Sequence, residues 1–173
     1  RAAPVDMLSL SGHKLHAPKG VGTLFVRKGI KIAPLLHGGH QEEALRGGTE
    51  NVAFIVGLGV ACELAAKCMD EENHRVRTLR DRLEHALLHN CVGAKLNGDP
   101  VQRLPNTTNI SFEFIEGESI LLLLDERGIA ASSGSACTSG SLEPSHVMRA
   151  MGLPYTFAHS STRFSLSRFS TDK

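Results

Sequence analysis

The stretch that decides the fold class runs from residue 118 to residue 141 and reads ESILLLLDERGIAASSGSACTSGS. Glu118 to Arg127 is typical of a short apolar helix, and Gly128 follows where a helix commonly ends in a left-handed residue. Ile129 to Ala131 predicts a short strand that leads into a loop of glycine and small hydroxyl residues. Helices and strands that alternate in this way indicate an α/β or α+β architecture.

The loop after this strand carries one thiol, Cys137, among glycine, alanine, serine and threonine residues. Gly134 and Gly140 give its backbone conformational freedom, so the thiol is expected to be accessible. Structural cysteines are usually buried in apolar surroundings, and this one is not, so a reactive role and an inert one both stay open. The reactive form is the thiolate. Because the adjacent residues offer no cation, an activating group has to come from elsewhere in the fold.

Further elements flank this stretch on both sides. Asn109 to Phe114 alternates apolar and polar residues and predicts a half-buried strand, while Pro144 fits the first turn of a helix that Gly152 ends. Thr162 to Ser167 also alternates, so Arg163 projects from the face opposite the apolar residues. An arginine in this position can bind a carboxylate through two hydrogen bonds, although a solvated surface arginine is the commoner case.

A lysine lies between two predicted strands near the start of the chain. The strands are the apolar stretch Met7 to Leu10 and the β-branched and aromatic stretch Val21 to Arg27. Lys14 lies where the first strand enters a Gly/Pro turn, and a lysine held there can form a Schiff base with an aldehyde cofactor. Ser11 and His13 are placed to hold a phosphate beside it. Most lysines near turns are solvated surface groups, so these residues alone leave both interpretations open.

A glycine-rich loop and a long helix follow. The loop HGGHQEEALRGGT contains no GxxxxGK[ST] spacing, nor does the earlier GVG run, so a nucleotide-binding phosphate loop is not supported. Thr49 is expected to cap the helix with its hydroxyl. From Val52 the apolar residues recur at helical spacing, which predicts one long helix, or two helices with a break at Asp70 to Asn73.

Composition narrows the function classes. Of the 173 residues, 41% are hydrophobic and 21% charged, which suits one domain or two small ones, and the formal charge of +1 favours neither nucleic acid nor an anionic membrane as a partner. No uninterrupted apolar run approaches the ~20 residues that a membrane span needs. The remaining cysteines, Cys62, Cys68 and Cys91, are expected to be core or surface fillers, without zinc or disulfides, as is ordinary in a reducing cytoplasm. The first residues do not read as a signal peptide and look like the middle of a longer chain.

Four blocks, taken in order, resemble the cysteine desulfurases of the NifS type, which belong to the fold-type I pyridoxal-phosphate enzymes. The blocks are SGHKLHAPKGVGTLFVR, HGGHQEEALRGGTENV, EFIEGESILLLLDERGIAASSGSACTSGSLEPSHVMRAMG and AHSSTRFSLSRF. The resemblance covers essentially the whole chain, and SGSLEPSHVMRAMG is most similar to the nitrogen-fixation members. It implies an α/β fold in which residues 1–56 end the large cofactor-binding domain. Residues 57–173 would then form most of a small α+β domain that carries the cysteine loop at about 132–142.

The resemblance also assigns cofactor-binding residues. Lys14 matches the lysine that binds pyridoxal 5'-phosphate covalently, and Ser11 and His13 match groups that contact the cofactor phosphate. Thr49 matches a threonine that reaches the phosphate of the cofactor in the partner subunit. A homodimer with shared sites is therefore implied.

The reaction that the resemblance implies is removal of sulfur from L-cysteine, giving L-alanine and a persulfide. Cys137 matches the cysteine that accepts the sulfur, and Arg163 matches the arginine that binds the substrate carboxylate. The sulfur would pass to a scaffold protein of the NifU or IscU kind for iron–sulfur cluster assembly in the cytoplasm. No intrinsic metal site is implied, although Cys137 can transiently ligate an iron–sulfur cluster.

One departure from the family pattern limits these expectations. The family's N-terminal half supplies an aspartate for the pyridine nitrogen, a histidine stacked on the ring and much of the phosphate site, and none of these lies in the present residues. A last helix is also missing, so we expect an internal fragment with little activity by itself. Two other interpretations stay open: a related pyridoxal-phosphate lyase or aminotransferase in which Cys137 is incidental, and a non-catalytic interaction fragment.

Overall fold

A computed structural model describes residues 4–133 and 143–172 of the chain. The chain forms two compact units that divide between Met69 and Asp70. This division falls inside a helix and does not test the predicted domain boundary near residue 56, which stays a prediction. Each unit is described by itself below.

The first unit begins with two antiparallel strands, β1 (Met7–Ser11) and β2 (Gly22–Val26). Met7 lies opposite Val26 and Ser11 opposite Gly22. Both predicted strands are confirmed, and a 3-10 helix, Gly12–Leu15, follows directly on β1. The large apolar side chains of the pair stand between 39% and 50% exposed, apart from that of Val26, which is half-buried.

A single turn, α1 (Gln41–Ala44), is followed by one continuous helix, α2 (Val52–Asn90). The predicted long helix is therefore unbroken, but its predicted start is wrong. The Asn51 side-chain oxygen accepts a hydrogen bond from the Phe54 amide at 3.4 Å, so Asn51 and not Thr49 caps the helix. Asparagine is as good a cap as serine or aspartate, and it lies one position before the first helical residue.

Helix α2 also corrects an expectation about membranes. By length and composition alone it is able to cross a bilayer, since an 18-residue window contains no more than two charged residues. The prediction considered only uninterrupted apolar runs, and this window is interrupted by polar residues. In the structure Leu58 and Ala61 of this helix are buried against Ala17 and form the core of the first unit. That the protein has no membrane partner stays a prediction.

The second unit is built on a four-stranded antiparallel sheet with strand order β3-β4-β6-β5. Its strands are β3 (Ala94–Leu96), β4 (Thr107–Phe112), β5 (Ser132–Ser133) and β6 (Thr162–Ser165). Strand β4 lies between β3 and β6, and half-buried and buried residues alternate from Thr107 to Ile110, so the predicted half-buried strand is confirmed there. The prediction is wrong at the far end, because the strand stops at Phe112 and Phe114 is 84% exposed. Ser111, expected to face solvent, is buried completely because its hydroxyl donates to the Phe157 carbonyl and accepts from the Asn97 side chain.

The described part of the second unit also contains three short helices: α3 (Gly117–Asp125), α4 (His146–Ala150) and α5 (Tyr155–His159). The predicted glycine ends of α3 and α4 are confirmed, since Gly128 and Gly152 have φ of 73° and 77°. The predicted strand at Ile129 to Ala131 is wrong. The Ile129 amide donates to the Leu124 carbonyl at 2.9 Å and so completes the helix end, and the strand begins at Ser132 instead.

A largely buried ion pair makes the stability of the second unit depend on pH. Glu84 accepts two hydrogen bonds from Arg103, at 2.6 and 2.8 Å, and a third from the Thr108 hydroxyl. The Arg103 hydrogen bond, followed by that of Thr108, holds the pKa of the Glu84 carboxyl below its ordinary value, against the opposing effect of burial. Because the folded-state pKa is the lower one, this stabilisation is present above the unfolded value of about 4.3 and is lost as the pH falls through the folded pKa.

Glu84→Gln is therefore expected to lower the free energy of unfolding at pH 7 by about 2 kcal/mol, because it removes the carboxylate that accepts two hydrogen bonds from Arg103 and leaves only Asp81, at 3.9 Å, as a charged partner among the described residues. The difference in free energy of unfolding between the variant and the parent protein should become smaller as the pH falls through the folded-state pKa of Glu84. Urea unfolding followed by circular dichroism at several pH values measures both effects. Glu118→Gln, on the exposed surface of α3, is the matched control. Equal behaviour of the two variants would contradict the prediction.

Candidate functional site

The turn that carries Lys14 is fixed by backbone hydrogen bonds. The Gly12 amide donates to the Val21 carbonyl at 2.9 Å, and the Ala17 amide donates to the Gly12 carbonyl at 3.0 Å. His16 closes the 3-10 helix in a left-handed conformation with φ of 64°. Lys14 is exposed on this turn and makes no ion pair with any described residue. The backbone is therefore held while the amine stays available.

Helix α2 supports this turn. Ala17 packs against Leu58 and Ala61 of the helix in the core of the first unit. Gly57 of the helix lies so close to Pro18 that a Cβ atom there would be 3.0 Å from the proline ring. Pro18 thus lies directly against the helix at Gly57, where no side chain intervenes.

Gly12→Ala is expected to lower the free energy of unfolding by about 2 kcal/mol, because the added Cβ would lie 2.8 Å from the Val21 carbonyl oxygen and 2.9 Å from its side chain. The same variant should displace Lys14. Urea unfolding measures the loss. The control is Gly59→Ala on α2, where a Cβ meets nothing within 4 Å and the better helix propensity should add up to about 1 kcal/mol. A neutral Gly12→Ala would refute the prediction.

Ser11 is the last residue of β1, and His13 directly precedes Lys14 in the 3-10 helix. Both side chains are exposed, and that of Ser11 does not cap the 3-10 helix. A hydroxyl, an imidazole and an amine, all without partners among the described residues, are carried by the four consecutive residues 11–14. This donor set fits an anionic ligand that also carries an aldehyde, because hydroxyl and imidazole groups donate to phosphate oxygens and the amine can react with the aldehyde.

Thr49 lies in the loop between α1 and α2 and is exposed. Two glycine segments hold this loop, since a Cβ at Gly47 would be 2.9 Å from the Cα of Gly38. The Gly47 amide donates to the Leu36 carbonyl at 2.8 Å. The adjoining turn α1 has positive φ at its last three residues, which costs free energy for residues other than glycine. Backbone strain of this kind concentrates at functional sites.

Arg163 lies in the second unit, on strand β6. The residue is half-buried and not fully exposed, and its Nη2 atom donates a hydrogen bond to the Ser132 hydroxyl at 3.0 Å. Its Nε atom is buried without an acceptor among the described residues. No carboxylate among those residues forms an ion pair with it. The charge of the guanidinium is therefore not neutralised by any described residue.

The predicted site residues fall in both units. Ser11, at the end of β1, and His13 and Lys14, in the 3-10 helix that follows it, belong to the first unit, and Arg163 belongs to the second. Cys137 lies outside the described residues. The other three cysteines, Cys62, Cys68 and Cys91, are free thiols, and within the described ranges no group of three or more His, Cys, Asp or Glu is placed to hold a metal ion.

Sequence reasoning missed Ser132, the partner of Arg163. Ser132 and Arg163 are paired across β5 and β6, and they are 31 positions apart in the chain. The serine was part of a small-residue loop in the sequence, and nothing local marks it as a strand. Only the register of the sheet reveals this contact.

Comparison with solved structures identifies the class of protein that this fold and site define. A NifS-like protein superimposes with a TM-score of 0.86 at 39% identity, over 97% of this chain and 42% of that one. The NifS-like protein from Rickettsia africae superimposes with the same TM-score at 34% identity, over 96% of this chain and 43% of that one. The chain therefore has the α/β fold of the fold-type I enzymes, as predicted.

The chain belongs to the aminotransferase class-V family, whose model matches residues 1–173. It is 66% identical to a cysteine desulfurase of Gluconacetobacter diazotrophicus over 172 residues, which are 99% of this chain and 43% of that protein. It is 64% identical to the cysteine desulfurase NifS of Azotobacter vinelandii over 169 residues, or 98% of this chain and 42% of that protein. The chain thus spans less than half the length of these relatives. Its similarity to proteins of the NifS type is the one expected from the sequence.

Proposed function

We propose that this chain is part of a cysteine desulfurase that uses pyridoxal 5'-phosphate to remove sulfur from L-cysteine. The products are L-alanine and a persulfide on Cys137. Two observations support the proposal. Relatives named cysteine desulfurase match nearly the whole chain, and the residues around Lys14 and Arg163 have side chains that fit this chemistry. When bound, the cofactor would accept the electron pair left at the substrate α-carbon after proton removal.

The chain's own residues have separate roles in this proposal. The Lys14 amine holds the cofactor and then moves the α-proton, because it is exposed on a fixed turn. Ser11, His13 and Thr49 bind phosphate oxygens. Arg163 binds the substrate carboxylate, and the Cys137 thiolate attacks the substrate sulfur. The bond between sulfur and carbon breaks, its electron pair stays with the carbon skeleton, and protonation of that skeleton gives alanine.

The observation that carries this proposal is the half-buried guanidinium of Arg163, which has no carboxylate partner among the described residues. A buried arginine usually has an acidic partner, as Arg103 has in Glu84 at 2.6 Å in the same unit. Within the described ranges, the side-chain partner of Arg163 is a neutral hydroxyl. A ligand with a carboxylate, such as an amino acid, would supply the missing charge.

Arg163→Ala, made in a full-length protein that contains this chain, is expected to lower kcat/KM for L-cysteine about 100-fold, since one partner of a desolvated charge pair is lost. Arg163→Lys should recover only part of this, because a lysine cannot form the two parallel hydrogen bonds. Alanine release measures the rate. Arg149→Ala removes an exposed arginine of α4 and is the control. Alanine formation unaffected by Arg163→Ala would argue against the assignment.

The wider setting is also proposed. Thr49 would serve the cofactor of a partner subunit, so the active form would be a homodimer. The persulfide sulfur would go to an iron–sulfur scaffold protein of the NifU or IscU kind in the cytoplasm, and the similarity to NifS favours a role in nitrogen fixation.

A further inference from the structure

We infer that Ser132 is a positioning residue for substrate binding, which orients the Arg163 guanidinium toward the carboxylate of the amino acid. This inference rests on the proposed function. Ser132 lies directly opposite Arg163 in the antiparallel pair of β5 and β6. Residues opposite each other in such a pair project from the same face, and the Arg163 Nη2 atom donates to the Ser132 hydroxyl oxygen at 3.0 Å.

The other strand next to Arg163 does not offer the same support. Asn109 of β4 lies opposite Arg163 on that side. Its side-chain oxygen accepts a hydrogen bond from the Asn97 amide group at 2.7 Å. Among the described residues, Ser132 therefore supplies the side-chain acceptor that fixes the guanidinium.

The neutrality of Ser132 matters as much as its position. Arg103, in the same unit, shows what a purely structural arginine looks like: Glu84 holds it with two hydrogen bonds and neutralises its charge. Ser132 accepts one hydrogen bond from Arg163 and leaves the charge unpaired. A carboxylate at position 132 would hold the arginine more firmly but would compete with the substrate for it. A hydroxyl orients the guanidinium through one hydrogen bond and does not neutralise the positive charge that would bind the substrate carboxylate.

The test compares four variants of a full-length protein that contains this chain. Ser132→Ala removes the acceptor, Ser132→Thr keeps a hydroxyl, Ser132→Asp adds a competing charge, and Ser133→Ala is the neighbouring control on β5. We expect Ser132→Ala to raise KM for L-cysteine about tenfold, the value of one hydrogen bond to a charged group, with kcat changed less than about threefold. Ser132→Thr and Ser133→Ala should stay near the parent protein.

Ser132→Asp separates positioning from a structural role. If the contact were merely structural, an aspartate would keep or strengthen it, and Ser132→Asp would have the urea midpoint and the KM for L-cysteine of the parent protein. If Ser132 positions Arg163, the urea midpoint of Ser132→Asp should stay unchanged while its KM rises further than that of Ser132→Ala. Inhibition by cysteamine, which lacks the carboxylate, should be the same in all four variants.

The outcomes distinguish failure of the positioning role of Ser132 from failure of the proposed desulfurase function. If Arg163→Ala weakens L-cysteine binding but Ser132→Ala and Ser132→Asp do not, the inference is overturned and the proposed function stands. If the parent protein itself forms no alanine from L-cysteine, both are overturned. If Ser132→Ala lowers the urea midpoint, the KM for L-cysteine of Ser132→Thr is compared with that of Ser132→Ala. Similar KM values in these two variants would overturn the inference.

Discussion

Lys14→Ala is expected to lower alanine formation from L-cysteine by at least about 1,000-fold in a full-length protein that contains this chain. Lys14 has two roles in the proposed reaction, as the group that holds the cofactor and as the base that moves the α-proton, and loss of a positioned base alone costs about 100- to 10,000-fold. The turn that carries it is held by its own backbone, so the substitution should not disturb the fold.

Lys19→Ala is the matched control, since Lys19 is an exposed lysine on the same connection between β1 and β2. A second readout does not depend on turnover. Borohydride reduction in the presence of pyridoxal phosphate, followed by mass spectrometry, should place one adduct on Lys14. Labelling spread over many lysines would contradict the assignment, as would a Lys14→Ala variant that keeps the activity of the parent.

The second large effect is expected at Cys137. Cys137→Ala should abolish persulfide formation while the cofactor still binds and changes its absorbance with L-cysteine, because the cysteine acts only after the amino acid is bound. Persulfide sulfur is measured by release with a reductant, and cofactor binding by absorbance. This split also separates a desulfurase from a related lyase or aminotransferase, in which Cys137 would be incidental.

The other thiols provide controls for that experiment. Cys62, Cys68 and Cys91 are free, and Cys62 is exposed. Substitution of each by alanine should leave the persulfide yield unchanged. If the yield survives at Cys137→Ala and falls at one of the other three positions, the sulfur acceptor has been assigned to the wrong cysteine.

Elements with local signals were predictable from the sequence. Gly128 and Gly152 end their helices in left-handed conformations, which glycine adopts without the steric cost of a Cβ. The strands on both sides of Lys14 follow from their β-branched and aromatic residues. Because Ser11, His13 and Lys14 lie within four consecutive residues where the first strand ends, the sequence alone is enough to place them next to one another.

Features that depend on distant partners were not predictable. Ser111 looked exposed because it alternates with apolar residues, but the Phe157 carbonyl, 46 positions away, accepts its hydrogen bond and allows burial. The contact between Arg163 and Ser132 depends on strand register in the same way. The helix cap was misplaced for a more local reason, since Thr49 and Asn51 are both good caps and only the backbone path decides between them.

The exposed pair of strands at the start of the chain has a consequence for anyone who handles these residues by themselves. Two strands leave two unpaired edges, and here the large apolar side chains of β1 and β2 are up to 50% exposed beside those edges. Such edges pair with further copies of the same chain, and two strands alone are marginally stable in water. Self-association into insoluble material therefore competes with folding, the more so at high concentration, and dilute refolding monitored by light scattering is the suitable procedure.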